Sequence, residues 1–381
     1  MSGERKEKTS PLYAIALSKS FSETWEKNAS LCSESSIRKI WYKANERSSL
    51  FALTKVHRYL KNQQNNKKLN NIQKKEIRDY WGRYGFRFPY DWHKLYYEVT
   101  GAFDPSFVPN NVFHYGIKYR LNNKTFSTVW SDKCYLDYAL KGILTPKTIV
   151  RNINGRFANE RFELIDIQKA KTIIDRYNHV VIKPSVLTDT GKGVSLLECP
   201  FNLERLDKIY KKNYIIQLPI YQHEKMGCLN GSSVNTIRIN SALLDTEALI
   251  LSAFVKVGEK GAFADNSGHN RYFIGITEDG VYKNYAIDHD MNKYEHIPSG
   301  YTFPGKAVPS FEAACETVRC AHKKIPHFGL AFWDVCILQN GQPMIVEVNL
   351  RSPDTYVAQA TSGPFFGKHT KTILNYISRK A

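Results

Sequence analysis

Apolar residues recur through the first hundred positions at the spacing of one helix face. Ile37, Ile40, Trp41 and Ala44 fall at i, i+3, i+4 and i+7, and Leu53, Val56, Tyr59 and Leu60 continue a similar stripe. Side chains at that period share one side of an α-helix. The pattern predicts helical structure from about Phe21 to Tyr97, after a frayed tail over residues 1–10. The region closes on an aromatic cluster: Trp81, Tyr84, Phe86, Phe88, Tyr90, Trp92, Tyr96 and Tyr97. Such density can form a base-stacking platform. Interleaved with turn residues, these rings read instead as packing between the helical region and the rest.

After Asp104-Pro105 the texture changes. Short β-branched runs predict strands at Thr148–Val150, Val180–Ile182, Tyr214–Gln217, Thr236–Ile239, Leu249–Val257, Val335–Leu338 and Met344–Val348. Helices are predicted between them, notably over Asp132–Leu140 and Ser310–Lys323. Asp279-Gly280 and Asn340-Gly341, each flanked by strand-like residues, predict hairpin loops of the two-residue type. Strands and helices alternating with antiparallel hairpins mean an α/β (α+β) fold, with no internal repeat.

The chain has 381 residues, 42% hydrophobic and 24% charged, enough for two or three subdomains with a true core. No apolar run approaches the ~20 residues of a membrane helix. The opening MSGERKEKTS lacks the apolar stretch of a signal peptide, and the expected location is cytoplasmic. Cys32, Cys134, Cys199, Cys228, Cys315, Cys320 and Cys336 are an odd, scattered set without C-x-x-C, which reads as reduced thiols and not as disulfides or a zinc site. Lys and Arg number 54 against 36 Asp and Glu, a formal charge of +18. Much of the excess lies at Lys61, Lys67, Lys68, Lys74, Lys75 and Arg78, which reads as a solvated face. Nucleic acid, a membrane surface or anionic substrates would suit the same field.

The densest candidate chemistry is near the C-terminus, in Trp333-Asp334-Val335 and Ile345-Val346-Glu347-Val348-Asn349. If these strands pair across Asn340-Gly341, Asp334 comes beside Glu347 and Asn349, which project from one face, with Val346 and Val348 on the other. Three hard oxygen donors suit magnesium that keeps waters and takes substrate phosphates; an acidic hairpin edge is the alternative. Val180-Val181-Ile182-Lys183-Pro184 is an apolar strand ending in lysine, followed by Thr188-Asp189-Thr190-Gly191-Lys192-Gly193. Thr190, Gly191 and Gly193 would let backbone N–H groups approach phosphate; a hairpin turn is the alternative. No Walker A pattern is present. Tyr214–Ile220 reads as a strand running into a hinge. There the Gln217 amide and the backbone of Leu218 and Ile220 can meet an adenine edge, Pro219 having no donor.

The order of these pieces resembles the ATP-grasp superfamily and, more closely, the sugar-transfer-associated ATP-grasp family. The likeness runs from about Trp81 to Leu374, through YWGRYGFRF, GAFDPSFVPNNVF, SDKCYLDYALKGILTPKTIVRNINGRF, VVIKPS with TGKGV, IIQLPIYQHE, SSVNTIRI, ADNSGHN, HIPSGYTFPG with VPSF, and FWDV with VEVN. The resemblance implies an ATP-grasp fold: a basic helical N-terminal region (1–100), a first subdomain with the glycine loop (101–220) and a second with the magnesium site (221–381), the nucleotide held between the last two. It implies ATP and Mg2+ as cofactors, with Lys133 and Lys183 on the phosphates, Gln217 and Leu218–Ile220 on adenine, and Glu224 on the ribose. Asp334, Glu347 and Asn349 become the metal ligands and Arg238 the cation at the transferred phosphoryl, a strand salt bridge being its other reading. Asn235, Asp265, Asn266 and Arg351 line the acceptor side. Related ligases carry arginine two residues before the first metal ligand; here Phe332 stands there, so Arg238 or Arg351 must supply the charge. Ser-Gly-His-Asn replaces the family's paired glycines after Asp265-Asn266.

The implied activity is an ADP-forming carboxylate–amine ligase working through an acyl-phosphate, on a uronic acid, amino sugar or amino acid of bacterial surface polysaccharide or capsule. A sugar or polyol kinase on the same site is a second reading. A basic nucleic-acid-binding protein is a third, and it leaves Asp334, Glu347 and Asn349 unexplained.

Overall fold

The computed structural model describes residues 56–57, 59–61, 67–122, 124–186, 193–261, 263, 271–350 and 355–379. The stripe at Ile37 to Leu53 and Cys32 lie outside them. Contacts divide the chain into Met1–Gln63 and Gln64–Ala381. In the first unit Val56 and Leu60 are buried and their backbone is helical, as the stripe predicts.

Helix α1 (Asn71–Gly82) begins on a capping box. Asn70 Oδ1 accepts from Gln73 N–H at 2.9 Å, and Gln73 Oε1 accepts from Asn70 N–H at 3.0 Å. Helix α2 (Asp91–Thr100) ends on Gly101, whose φ of 78° is the left-handed stop. The aromatic cluster packs between elements, as expected. Trp81, Phe86, Trp92 and Tyr96 are buried, Trp81 Nε1 donates to Pro105 O at 2.8 Å, and Tyr96 stacks on Phe107 with ring centroids 4.8 Å apart.

Two antiparallel sheets follow. The first comprises β1 (Thr148–Ile153), β2 (Arg156–Asn159), β3 (Leu164–Ile165), β4 (His179–Pro184), β5 (Ser195–Glu198) and β6 (Tyr214–Gln217), in the order β3-β2-β1-β6-β4-β5. Helices α3 (Ile167–Ile174) and α4 (Leu203–Tyr210) lend Ala170, Ile174 and Leu203 to a core with Val180, Ile182, Tyr214 and Ile216. Strand alternation then sends Val181, Lys183, Ile215 and Gln217 to the opposite face.

The second sheet orders β11 (Lys293–Tyr294), β10 (Tyr282–Ile287), β9 (Tyr272–Ile276), β8 (Glu247–Val257), β7 (Thr236–Leu244), β12 (Leu330–Ile337) and β13 (Pro343–Asn349). One face packs on α5 (Phe311–His322), with Ile237, Ile239, Val255, Trp333 and Val335 meeting Ala314, Cys315 and Val318. Helix α6 (Thr355–Ser362) covers part of the other face, and α7 (Thr370–Arg379) completes the chain. Gln359 of α6 donates to Tyr96 Oη at 2.9 Å, tying α2 into this unit.

Both glycine turns close hairpins, with a correction to their length. Leu338 N–H reaches Gln342 O and Gly341 N–H reaches Leu338 O, each at 2.8–2.9 Å; Thr277, Gly280 and Val281 repeat the arrangement. Three residues, not two, form each loop, with Gly280 (φ 80°) and Gly341 (φ 82°) in the left-handed position that a three-residue loop demands.

Candidate active site

On the free face of the first sheet, register aligns Lys183 with Ile215, and Ile215 in turn with Arg151. Against this face lies a single 3₁₀ turn, Lys133–Tyr135, capped by Asp132, whose Oδ1 accepts from Cys134 N–H at 2.9 Å. Lys133 N–H donates to Ser185 O at 3.0 Å. Two lysines distant in sequence are thereby fixed to one strand end. Lys183 is buried, and that burial, followed by the neighbouring Lys133 charge, lowers its ammonium to about 8 despite Glu347 acting the other way.

The second sheet presents its chemistry in rows, because directly paired residues share a face. One row across five strands reads Gly275, Phe254, Arg238, Asp334, Glu347. Beside it run Phe273, Lys256 and Thr236, and on the other side Ser252, Asn240, Phe332 and Asn349. Arg238 Nε donates to Asp334 Oδ1 at 2.6 Å and Nη2 to Oδ2 at 3.2 Å. Lys256 Nζ lies 2.9 Å from Oδ2 and Asn349 Nδ2 at 3.4 Å. Burial pushes the Asp334 carboxyl up, but the two cations outweigh it and hold the group at about 2. Glu347 Oε1 meets Lys133 Nζ at 3.1 Å, across from the first sheet.

The expectation that Glu347 and Asn349 share a face with Asp334 is met by the pairing. Val346 is a correction. A bulge sets Ile345 opposite Val335 and Glu347 opposite Asp334, so Val346 is the extra residue and lines the cleft, while Val348 alone stays in the core.

Between the two faces lies a cleft of about 930 Å³. Lys133, Lys183, Arg238, Lys256 and Arg271 line it, against the carboxylates Asp334 and Glu347 alone among the described residues. Such an excess of fixed cations in a concave site favours a polyanion. Two carboxylates and an Asn side chain supply hard oxygens of the kind magnesium takes, and the residues present fit that ion. At one end Val181, Val194, Leu196, Leu218 and Pro219 give an apolar lining.

Of the residues singled out in the sequence, Lys133, Lys183, Gln217, Leu218, Ile220, Arg238, Asp334, Glu347 and Asn349 come together at this cleft. Thr190, Gly191, Asp265, Asn266 and Arg351 lie outside the described residues. Gly193 has φ 78° and its carbonyl accepts from Tyr210 Oη at 2.8 Å. Four readings are corrected in detail. The Gln217 amide nitrogen is turned into the sheet, toward Thr148 Oγ1 at 2.8 Å and Pro146 O at 3.4 Å. Leu218 N–H is spent on Lys147 O at 3.0 Å, which leaves Ile220 as the hinge amide donor. Asn235 is fully buried, its Nδ2 donating to Met226 O and Asn230 O, each at 2.8 Å; it braces a loop and does not line the cleft. Glu224 is exposed at the start of the short helix Glu224–Gly227, outside the cleft lining. Lys256, Arg271 and Gln222 were missed. In LSAFVKV a lone lysine reads as a solvent-facing strand residue, and only the register places it on Asp334.

Among solved structures the chain is similar to L-amino acid ligase from Bacillus licheniformis (16% identity, TM-score 0.39), covering 66% of this chain and 49% of that one. It is similar too to D-cycloserine synthetase DcsG (15%, TM-score 0.38, 66% and 71%). A third is VanG D-Ala:D-Ser ligase from Enterococcus faecalis (13%, TM-score 0.40, 65% and 60%). The chain therefore spans about half the length of the first of these. No curated protein matches it. The sequence model of the sugar-transfer associated ATP-grasp family matches residues 114–373, more than half the chain and both sheets. The chain belongs to the sugar-transfer associated ATP-grasp family.

Proposed function

We propose that this protein is an ATP-dependent ligase that joins a carboxylate to an amine, releasing ADP and phosphate through an acyl-phosphate. The observation that carries the reading is the cleft itself: five cations gathered between two facing sheets, with Asp334 and Glu347 set among them. Phosphoryl transfer asks little covalent work of side chains and much positioning and charge neutralisation. Lys133 and Lys183 would grip the ATP phosphates, Lys133 exchanging its Glu347 contact for phosphate oxygens. Adenine would enter the apolar end, with the Ile220 amide as donor. Asp334, Glu347 and Asn349 would hold magnesium, which when bound neutralises charge on the transferring phosphoryl group. Arg238, anchored on Asp334, would stabilise the oxyanion that forms as the amine attacks.

The family's description supports a sugar-linked acceptor. A uronic acid, amino sugar or amino acid in the cytoplasmic assembly of surface polysaccharide or capsule is the substrate class that fits. With ATP, magnesium and a panel of such acids, hydroxylamine in place of the amine should yield a hydroxamate. Glu347→Ala should abolish ADP release with an unchanged circular dichroism spectrum. A product heavier by one phosphate and lacking any hydroxamate would show transfer to a hydroxyl and overturn the ligase reading.

A further inference from the structure

Arg151 in the middle of β1 is fully buried yet lies outside the lining of the cleft. Its guanidinium leaves the sheet face that carries Lys183 and grips the segment that carries Lys133. Nε donates to the Cys134 carbonyl at 2.9 Å and Nη1 to the Asn159 carbonyl at 2.9 Å, while Nη2 pairs with the Asp137 carboxylate. The Phe162 ring covers the guanidinium at 4.1 Å and stacks in turn on Tyr135. Phe162 adopts φ 65°, a left-handed conformation unfavourable for a residue with a side chain, and it does so where its ring closes this cage.

A buried ion pair seldom stabilises a fold more than apolar residues of the same volume, because both charges must leave water. What a guanidinium supplies in addition is a rigid fork with donors in several fixed directions. Here the fork is anchored on β1 and β2 and closes on the carbonyl of the residue adjoining Lys133. Lys133 N–H is held by Ser185 O, and the Asp132 cap holds Cys134 N–H. Arg151 supplies the third restraint, on the carbonyl side. With the backbone so fixed, the lysine stem spans the cleft to Glu347.

We infer that Arg151 is a positioning residue for Lys133, setting the ammonium at the height where a phosphate is gripped. The last clause rests on the ligase reading; the positioning itself does not. The test therefore has a ligand-free arm. Competitive reductive methylation of the full chain, read by peptide mass spectrometry, should show Lys133 labelled several-fold faster in Arg151→Met than in the parent, with Lys183 unchanged. Asp137→Asn loosens the same fork from a half-exposed position and should give a smaller rise in a protein that folds. The second arm measures Mg-ATP affinity. Arg151→Met should weaken it roughly tenfold, about 1.4 kcal/mol, and the double variant Arg151→Met/Lys133→Ala should bind no more weakly than Lys133→Ala alone. Unchanged Lys133 labelling in both folded variants overturns the inference, as does an equal rise at Lys183 or an additive double variant. A parent protein that binds no Mg-ATP defeats the functional reading and leaves the labelling arm to decide this one.

Discussion

Lys183 holds its charge in a site almost closed to water, at a stability cost that the surrounding fold must absorb. Because its folded pKa, about 8, lies below the ordinary 10.5, the unfolded chain binds the extra proton between those values. Stability contributed by this group therefore rises with pH from about 8 to about 10.5 and is lowest below 8. Lys183→Met should stabilise the fold at pH 7 by an amount on the order of 1–3 kcal/mol, read as a higher melting temperature, while abolishing ATP binding; a lower Tm would show the ammonium to be a net stabiliser. For Asp334 the charged form is instead the stabilising one. Its carboxyl is depressed from 3.8 to about 2, so its contribution is complete above about 4 and lost as pH falls toward 2. Asp334→Asn should flatten acid unfolding in that window, as followed by circular dichroism, and an unchanged acid limb would count against the ion-pair account. The sequence made Asp334 and Glu347 legible because two acids in apolar strands need partners. It could not show that those partners include Lys256, 78 positions away, since a lysine in a strand is silent about which face it takes until the register is known.

Elements with a strong period were legible, and elements set by tertiary contact were not. β6 and α5 run almost as read, because four buried residues in Tyr214–Gln217 and the amphipathic spacing of Phe311–His322 leave little freedom. β2, β3 and β5 were unreadable: each is four residues or fewer and carries exposed positions, so pairing alone defines it. β9 shows the same in another way. Gly275 in Tyr272–Ile276 looks like a strand breaker, yet it lets α6 approach so closely that an added Cβ would stand 2.2 Å from Thr361 O. The neighbour is helix backbone and cannot swing aside. Gly275→Ala should therefore destabilise the protein by about 1–3 kcal/mol, measurable as a lower urea midpoint with unchanged m-value. Retained stability would mean that α6 can lift from the sheet. Val357 on α6 lines the cleft, so any lift that does occur should also change substrate affinity.

At the scale of the whole unit, the site exists only where the two sheets face each other. Sequence order hid this, because Lys133, Lys183, Arg238 and Glu347 span most of the second unit and come from both sheets. Across the cleft the described contact between charged groups is Lys133 with Glu347, a half-buried pair whose net worth is small because both partners give up water to form it. Among the described residues the cleft sets five cations against two carboxylates, and like charges so placed repel one another. A bound polyphosphate would remove that repulsion and bridge both sheets at once, and it cannot bind a chain whose sheets have come apart. Mass action then fixes the outcome: ligand at about 100 times its Kd stabilises the folded unit by about 2.7 kcal/mol. Mg-ATP should raise the melting temperature of the parent protein in a concentration-dependent way and should fail to do so in Lys183→Met, although that variant starts from a higher Tm. The two shifts are opposite in sign for one substitution, so general loosening of the fold cannot imitate them. Duplex DNA at matched phosphate concentration should produce no such shift at about 0.15 M salt, where charges on an open surface are screened beyond ~8 Å while those walled inside the cleft keep their hold. An equal rise with DNA would move the anion site out of the cleft and onto the basic exterior.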